Sequence, residues 1–200
     1  MEYQLKIEFE DKDLKNIYSA AQKVVLIKES PGNDSVAWVT IDPFEYNTVS
    51  WNENYNVYCS KTQIQNGATI DKLSEKNAEE RSVYDFGSGI FENNKGEKTS
   101  KGSYQVNNTT TDNLTFGLAQ DVVANGSKTI GAPINASTVL AGQNGIFTPF
   151  EKVKILLQSN VMDGLVLSTI SSNIYTAEFG GEIDSLSVRY DGSTGHFIEI

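Results

Sequence analysis

The sequence predicts an all-β protein, an internally duplicated β-sandwich, and three observations carry that expectation. Apolar and polar residues alternate over many short segments, which is the period of a half-buried strand. Turn-forming groups such as "SPGND", "QNGA", "DFGSG", "VMDG" and "YDGSTG" separate those segments. Four sequence anchors recur in the same order, offset by roughly 100 residues, as in a tandem repeat.

The first strand is read at the N-terminus, where Tyr3, Leu5, Ile7 and Phe9 share one face and Glu2, Gln4, Lys6 and Glu8 the other. A helix interrupts at "DKDLKNIYSAAQ", where Asp11 or Asp13 can cap and Leu14, Ile17, Tyr18 and Ala21 make a stripe. Strands resume at "KVVLIKE" from Lys23, "SVAWVTI" from Ser35 and "YNVYCSK" from Tyr55. In the second half, "TTDNLTFGLAQ" from Thr110 alternates like a strand rather than a helix. It is followed by "EKVKILLQ" from Glu151, "GLVLSTI" from Gly164, "YTAEFGG" from Tyr175 and "SLSVRY" from Ser185.

The anchors are specific. "YQL" at Tyr3 answers "YQV" at Tyr104, and "AQKVV" from Ala21 answers "AQDVV" from Ala119. "DPFE" from Asp42 answers "TPFE" from Thr148, and "SVYDFGSGIFE" from Ser82 answers "SVRYDGSTGHFIE" from Ser187. They place one repeat over 1–95, a polar linker over 96–102 and a second repeat over 103–200, with at most one short helix per half. Two similar modules of about 100 residues satisfy this pattern, and so does one pseudo-symmetric sandwich.

The composition narrows the function classes. With 38% hydrophobic and 21% charged residues, and 16 Gly against 4 Pro, a chain of 200 residues is globular and long enough for a core. A net charge of −10 repels phosphate backbones and anionic headgroups, so nucleic acid is excluded as a partner. The acidic, alternating "MEYQLKIEFE" does not resemble a secretory signal. No apolar run approaches the ~20 residues of a transmembrane segment. Cytoplasmic synthesis is expected, with later release left open.

Catalytic chemistry finds few candidates. His196 is the only histidine and sits in the last hairpin, where it reads as an exposed edge-strand residue. Cys59 is the only cysteine, so no internal disulfide forms; sharing a face with Tyr55 and Val57, it reads as a buried thiol. One His and one Cys cannot build an ordinary zinc site, and no phosphate-binding or dinucleotide-binding loop is present. Neither a metal nor a cofactor is expected. The repeated pairs Glu45 with Glu151 and Asp85 with Asp191 could form a glycosidase-like carboxylate pair only by meeting across a symmetry axis. Their repetition favours structural work in loops and Asx-turns, and the turns lack a calcium ligand set.

Aromatic residues offer the richest binding pattern. Trp38, Phe44, Tyr46, Trp51, Tyr55 and Tyr58 crowd one stretch, interleaved with Asn52, Glu53, Asn54 and Asn56. Rings flanked by amides suit sugars, which stack on aromatic faces and exchange hydrogen bonds through their hydroxyls. The candidate ligand-binding residues are Trp38, Trp51, Tyr46, Asn52, Asn54 and Tyr58. The leading expectation is a non-enzymatic, lectin-like protein recognising a carbohydrate or cell-surface ligand, with a homo-oligomer compatible with the repeat. The alternative is a toxin-like pore-forming or self-assembling β-protein, motivated by the Ser/Thr-rich stretches "QVNNTTTDNLTFG" and "STISSNIYTAEFGG".

Overall fold

In the structure, a computed structural model describing residues 1–168, 170 and 172–200, the period-two segments become strands. The chain begins with β1 (Glu2–Glu8), α1 (Asp11–Ser19), β2 (Gln22–Lys28), β3 (Asp34–Ser35), β4 (Val39–Ile41) and β5 (Tyr46–Ser60). It continues through β6 (Lys72–Ala78), β7 (Val83–Gly87), β8 (Ile90–Asn93), β9 (Tyr104–Asn108), β10 (Leu114–Ala124) and β11 (Ser127–Pro133). The last elements are β12 (Asn135–Val139), β13 (Asn144–Phe147), β14 (Lys152–Ser159), β15 (Tyr175–Glu178), β16 (Ser185–Asp191) and β17 (His196–Glu199).

Leu14 and Ile17 form the buried stripe of α1, but the capping differs from expectation. Glu10 is the N-cap and makes no side-chain cap bond, while Asp11 and Asp13 lie inside the first turn, where their charge favours the helix dipole. Tyr18 leaves the stripe: it is exposed, and its hydroxyl donates to the Pro43 carbonyl. Within "GLVLSTI", Leu165 and Val166 make isolated bridges, and Thr169 lies outside the described residues. Thr169 and Ser171, within the proposed pore hairpin "STISSNIYTAEFGG", lie outside the described residues. Among the described residues no helix is long and apolar enough to cross a membrane.

Three sheets organise the strands. The largest has nine, in the order β17-β16-β1-β5-β10-β12-β3, with β6 also on β5 and β11 also on β10. The others are β13-β9-β7-β8 and β15-β14-β2-β4. Every sheet draws strands from both sides of 96–102, so the division into modules over 1–95 and 103–200 has no counterpart in the pairing. The physical reason is edge satisfaction: strand edges need partners, and each half supplies them to the other. β2 pairs with β14, and β10 with β5.

Those two crossings share a register. Val24 faces Leu157 while Val122 faces Trp51, and Val25 faces Leu156 while Val123 faces Ser50. Leu157 and Trp51 stand the same number of positions after Pro149 and Pro43. The "YQL" strand β1 runs parallel to β16, in the last hairpin, and the "YQV" strand β9 runs parallel to β7, in the first half's hairpin.

The main core contains Tyr3, Leu5 and Ile7, as the alternation demands, together with Leu26, Trp38, Trp51, Phe116 and Phe147. Strand β10 is buried on both faces from Leu114 to Gln120, which masks its alternation. Gly117 is required there by close approach: a Cβ would lie 2.2 Å from the Asn135 carbonyl oxygen and 2.7 Å from the Tyr58 ring.

Candidate functional site

Strand β5 turns consecutive residues to solvent at one place. Asn52, Glu53 and Asn54 are exposed in succession between the buried Trp51 and Tyr55. Against β10, Trp51 faces Val122 and Tyr55 faces Gln120, so three residues of β5 oppose Asp121 alone. This is a pronounced bulge, a device that breaks a ladder and re-aims side chains. On the other edge of β5, β1 begins at the Glu2–Asn52 pair and β6 finishes at the Ala78–Tyr55 pair. Glu53 and Asn54 therefore lack ladder partners, and the sheet opens into a cleft of about 810 Å³.

Amides dominate its lining: Asn52, Asn54 and Asn56 from β5 meet Asn77 from β6. Glu2, Glu79 and Asp121 add carboxylates. Asp121 is engaged by Lys128 at 3.2 Å and by the Gly131 N–H at 2.8 Å. Ile130, 68% exposed, supplies an apolar wall. Trp51 and Tyr55 reach the cleft only by their margins, being 2% and 7% exposed.

Beneath these two rings lies a charged cluster inside the core. Lys28 continues the Val24–Leu26 face of β2 and is completely enclosed; its Nζ lies 2.5 Å from Glu151 Oε2. The ammonium also sits 4.9 Å from the Trp51 ring centre and 5.3 Å from that of Trp38, favourable cation–π positions in a water-poor setting. Trp51 Nε1 donates to Glu151 Oε2 at 3.1 Å, and the Tyr55 hydroxyl donates to Oε1. The Tyr3 hydroxyl donates to Glu53 on the arch above.

Burial pulls the Lys28 ammonium below the usual lysine range, against the opposing pull of Glu151. Burial alone would push the Glu151 carboxyl up, but Lys28 and the Tyr55 and Trp51 donors outweigh it and hold it below the usual carboxylate range. Tyr55 is pushed well above the ordinary phenol value, first by burial and then by the Glu151 charge. Tyr104, whose ring centre is 5.7 Å from that of Tyr55, is pushed up to about 12, chiefly by burial.

The structure brings Trp51, Asn52 and Asn54 together at the cleft but disperses the other sequence candidates. Trp38 and Tyr58 have no exposure and present no face to a sugar; the Tyr58 hydroxyl is used internally, on the Asn135 carbonyl at 2.6 Å. Tyr46 is exposed at the far end of β5, opposite Glu8. The crowding of rings in sequence is thus mostly core construction. Sequence reasoning missed Asn77 and Glu79, which the next strand, β6, and the residue after it bring back beside β5. It also missed Lys28, although its parity with Val24 and Leu26 was a readable signal of a cation placed inside.

The remaining candidates are scattered. His196 is exposed on the edge strand β17, and Cys59 is buried with its thiol pushed up to about 12 by burial. Glu45 is exposed beside Asp11, whose carboxyl pushes it upward, and does not share the buried setting of Glu151. Asp85, within β7, accepts from Asn94 and from Asn107 on β9 and so ties neighbouring strands, while Asp191 accepts from Ser193 and Thr194 and organises its turn. Among the described residues no three His, Cys, Asp or Glu side chains are grouped to hold a metal ion.

A family model described as RhiA matches residues 2–199. No curated protein and no solved structure matches the chain.

Proposed function

Because the chain belongs to the RhiA family over 2–199, a family whose description names no ligand, we propose its role from the cleft itself. The protein is a non-enzymatic binding protein whose cleft takes a carbohydrate or a carbohydrate-bearing cell surface. One observation carries this reading: four Asn side chains from two strands converge on an opening in the sheet. Each amide offers both donors and an acceptor, the complement of a hydroxyl group, and the cleft lies in the size range of small-molecule sites. Ile130 offers an apolar contact for a sugar's C–H face, since the aromatic rings are turned inward. Glu2 and Glu79 accept hydroxyl protons and disfavour anionic ligands.

The equal registers of the two strand crossings support an internal duplication in which each half completes its sheets with strands from the other. Such an arrangement makes the halves one folding unit. It also means that the cleft need not occur twice, because Trp51 and Leu157 occupy matching positions with different side chains.

A glycan array tests the reading, with light scattering on the same sample to establish that the protein is folded and to report its mass. A defined sugar hit that weakens in Asn54→Ala supports it. A blank array from folded protein removes it and moves the case to dye release from liposomes and concentration-dependent particle growth, the signatures of the toxin-like and self-assembling alternatives.

A further inference from the structure

The buried Lys28 and Glu151 pair has a chemistry of its own, independent of what the cleft binds. We propose that Lys28 and Glu151 condense spontaneously into an intramolecular amide, a covalent staple between the end of β2 and the residue preceding β14.

The placement is unusual for an ordinary ion pair. Both residues stand on the core face of their strands, Lys28 in line with Val24 and Leu26, Glu151 in line with Val153 and Ile155. Their strands are already locked antiparallel, with Lys28 opposite Val153 and the Glu29 N–H on the Lys152 carbonyl at 3.0 Å. The side chains are 0% and 16% exposed, and the rings of Trp38 and Trp51 flank the nitrogen. Amine and carboxyl are therefore held together without diffusion, in a site from which water is largely excluded. Proximity of that kind replaces a bimolecular encounter with an effectively unimolecular one.

The step balances without any cofactor. The ammonium of Lys28 passes a proton to Glu151 Oε2 along their 2.5 Å contact, giving the neutral amine and the neutral acid from which the condensation starts. The nitrogen lone pair then attacks Cδ, forming the N–Cδ bond and moving the carbonyl π electrons onto Oε1. The Tyr55 hydroxyl already donates to Oε1 and meets the developing oxyanion there. A second proton moves from nitrogen to Oε2, the Cδ–Oε2 bond breaks, and one water leaves. The product removes both buried charges and ties two strands from opposite halves of a chain that has only one cysteine and so no internal disulfide.

Intact mass spectrometry of the purified wild-type protein is the test. The expected mass is lower than that of the sequence by one water, with a proteolytic fragment joining the peptides of Lys28 and Glu151; Lys28→Met restores the full mass. Tyr55→Phe, which keeps the ring, slows the loss of water in freshly made protein. A full mass after prolonged incubation of folded protein overturns the proposal. So does a one-water loss that maps to an aspartate or asparagine turn while the Lys28 and Glu151 peptides stay separate.

Discussion

Trp51 and Tyr55 donate to different oxygens of one carboxylate, Glu151, from the two ends of the arch that opens the cleft. The floor of the cleft is thereby fastened to the core. Replacing Tyr55 by Phe leaves the ring packed and removes the donor to Glu151 Oε1, an oxygen that accepts whether the group is a carboxylate or an amide. The expected cost is ~1–3 kcal/mol, read as a lower urea midpoint with an unchanged denaturant slope; an unchanged midpoint would mean the hydroxyl does not hold the floor.

Lys28→Met leaves Glu151 in the core without its cation and also removes the amine needed for the covalent staple. Uncompensated buried charges cost ~3–5 kcal/mol. The solvent-screened pair of Lys152 with Glu178 provides the comparison, since Lys152→Met should shift the urea midpoint far less. Equal losses in the two variants would show that burial at Lys28 carries no special weight.

Alkaline pH should loosen the fold through its tyrosines. Tyr55, Tyr3 and Tyr58 are all raised above the ordinary value of 10.0, with burial as the first cause, and Tyr104 reaches about 12. A phenol raised in the folded state stays protonated there while the unfolded chain ionises near pH 10. Their contribution is fully present below that pH and is lost as pH climbs above it. Thermal melting from pH 8 to about 11.5 should show a falling midpoint only above about pH 10, a fall reduced in Tyr104→Phe.

Gly117→Ala tests the close packing of β10 on β12. The added carbon meets a backbone carbonyl rather than a flexible side chain, so relief requires the strands to separate. Overpacking of this kind costs ~1–3 kcal/mol, and a variant as stable as wild type would show that the two strands can part.

Asn54→Ala separates binding from folding. Asn54 is exposed on the arch and makes no hydrogen bond among the described residues, so its loss should leave the melting temperature in place. One lost hydrogen bond to a ligand weakens affinity about tenfold. Titration of any array-identified sugar, followed by calorimetry, measures it.

The sequence by itself determined the all-β class, a helix within "DKDLKNIYSAAQ", and the buried faces of β1 and of Cys59, because a period of two or 3.6 is a local property of side-chain direction. It also placed Trp51, Asn52 and Asn54 on one segment. Only the tertiary structure decided that the halves interleave, because strand pairing is settled by which edges remain unsatisfied, at separations no local pattern encodes. The same applies to the candidate site. Trp38 is core because it packs on Trp51 and Lys28, Tyr58 because Val36, Ile70 and Val166 close over it; Asn77 reaches the cleft because β6 pairs with β5, and Lys28 meets Glu151 because two antiparallel strands turn the same face inward.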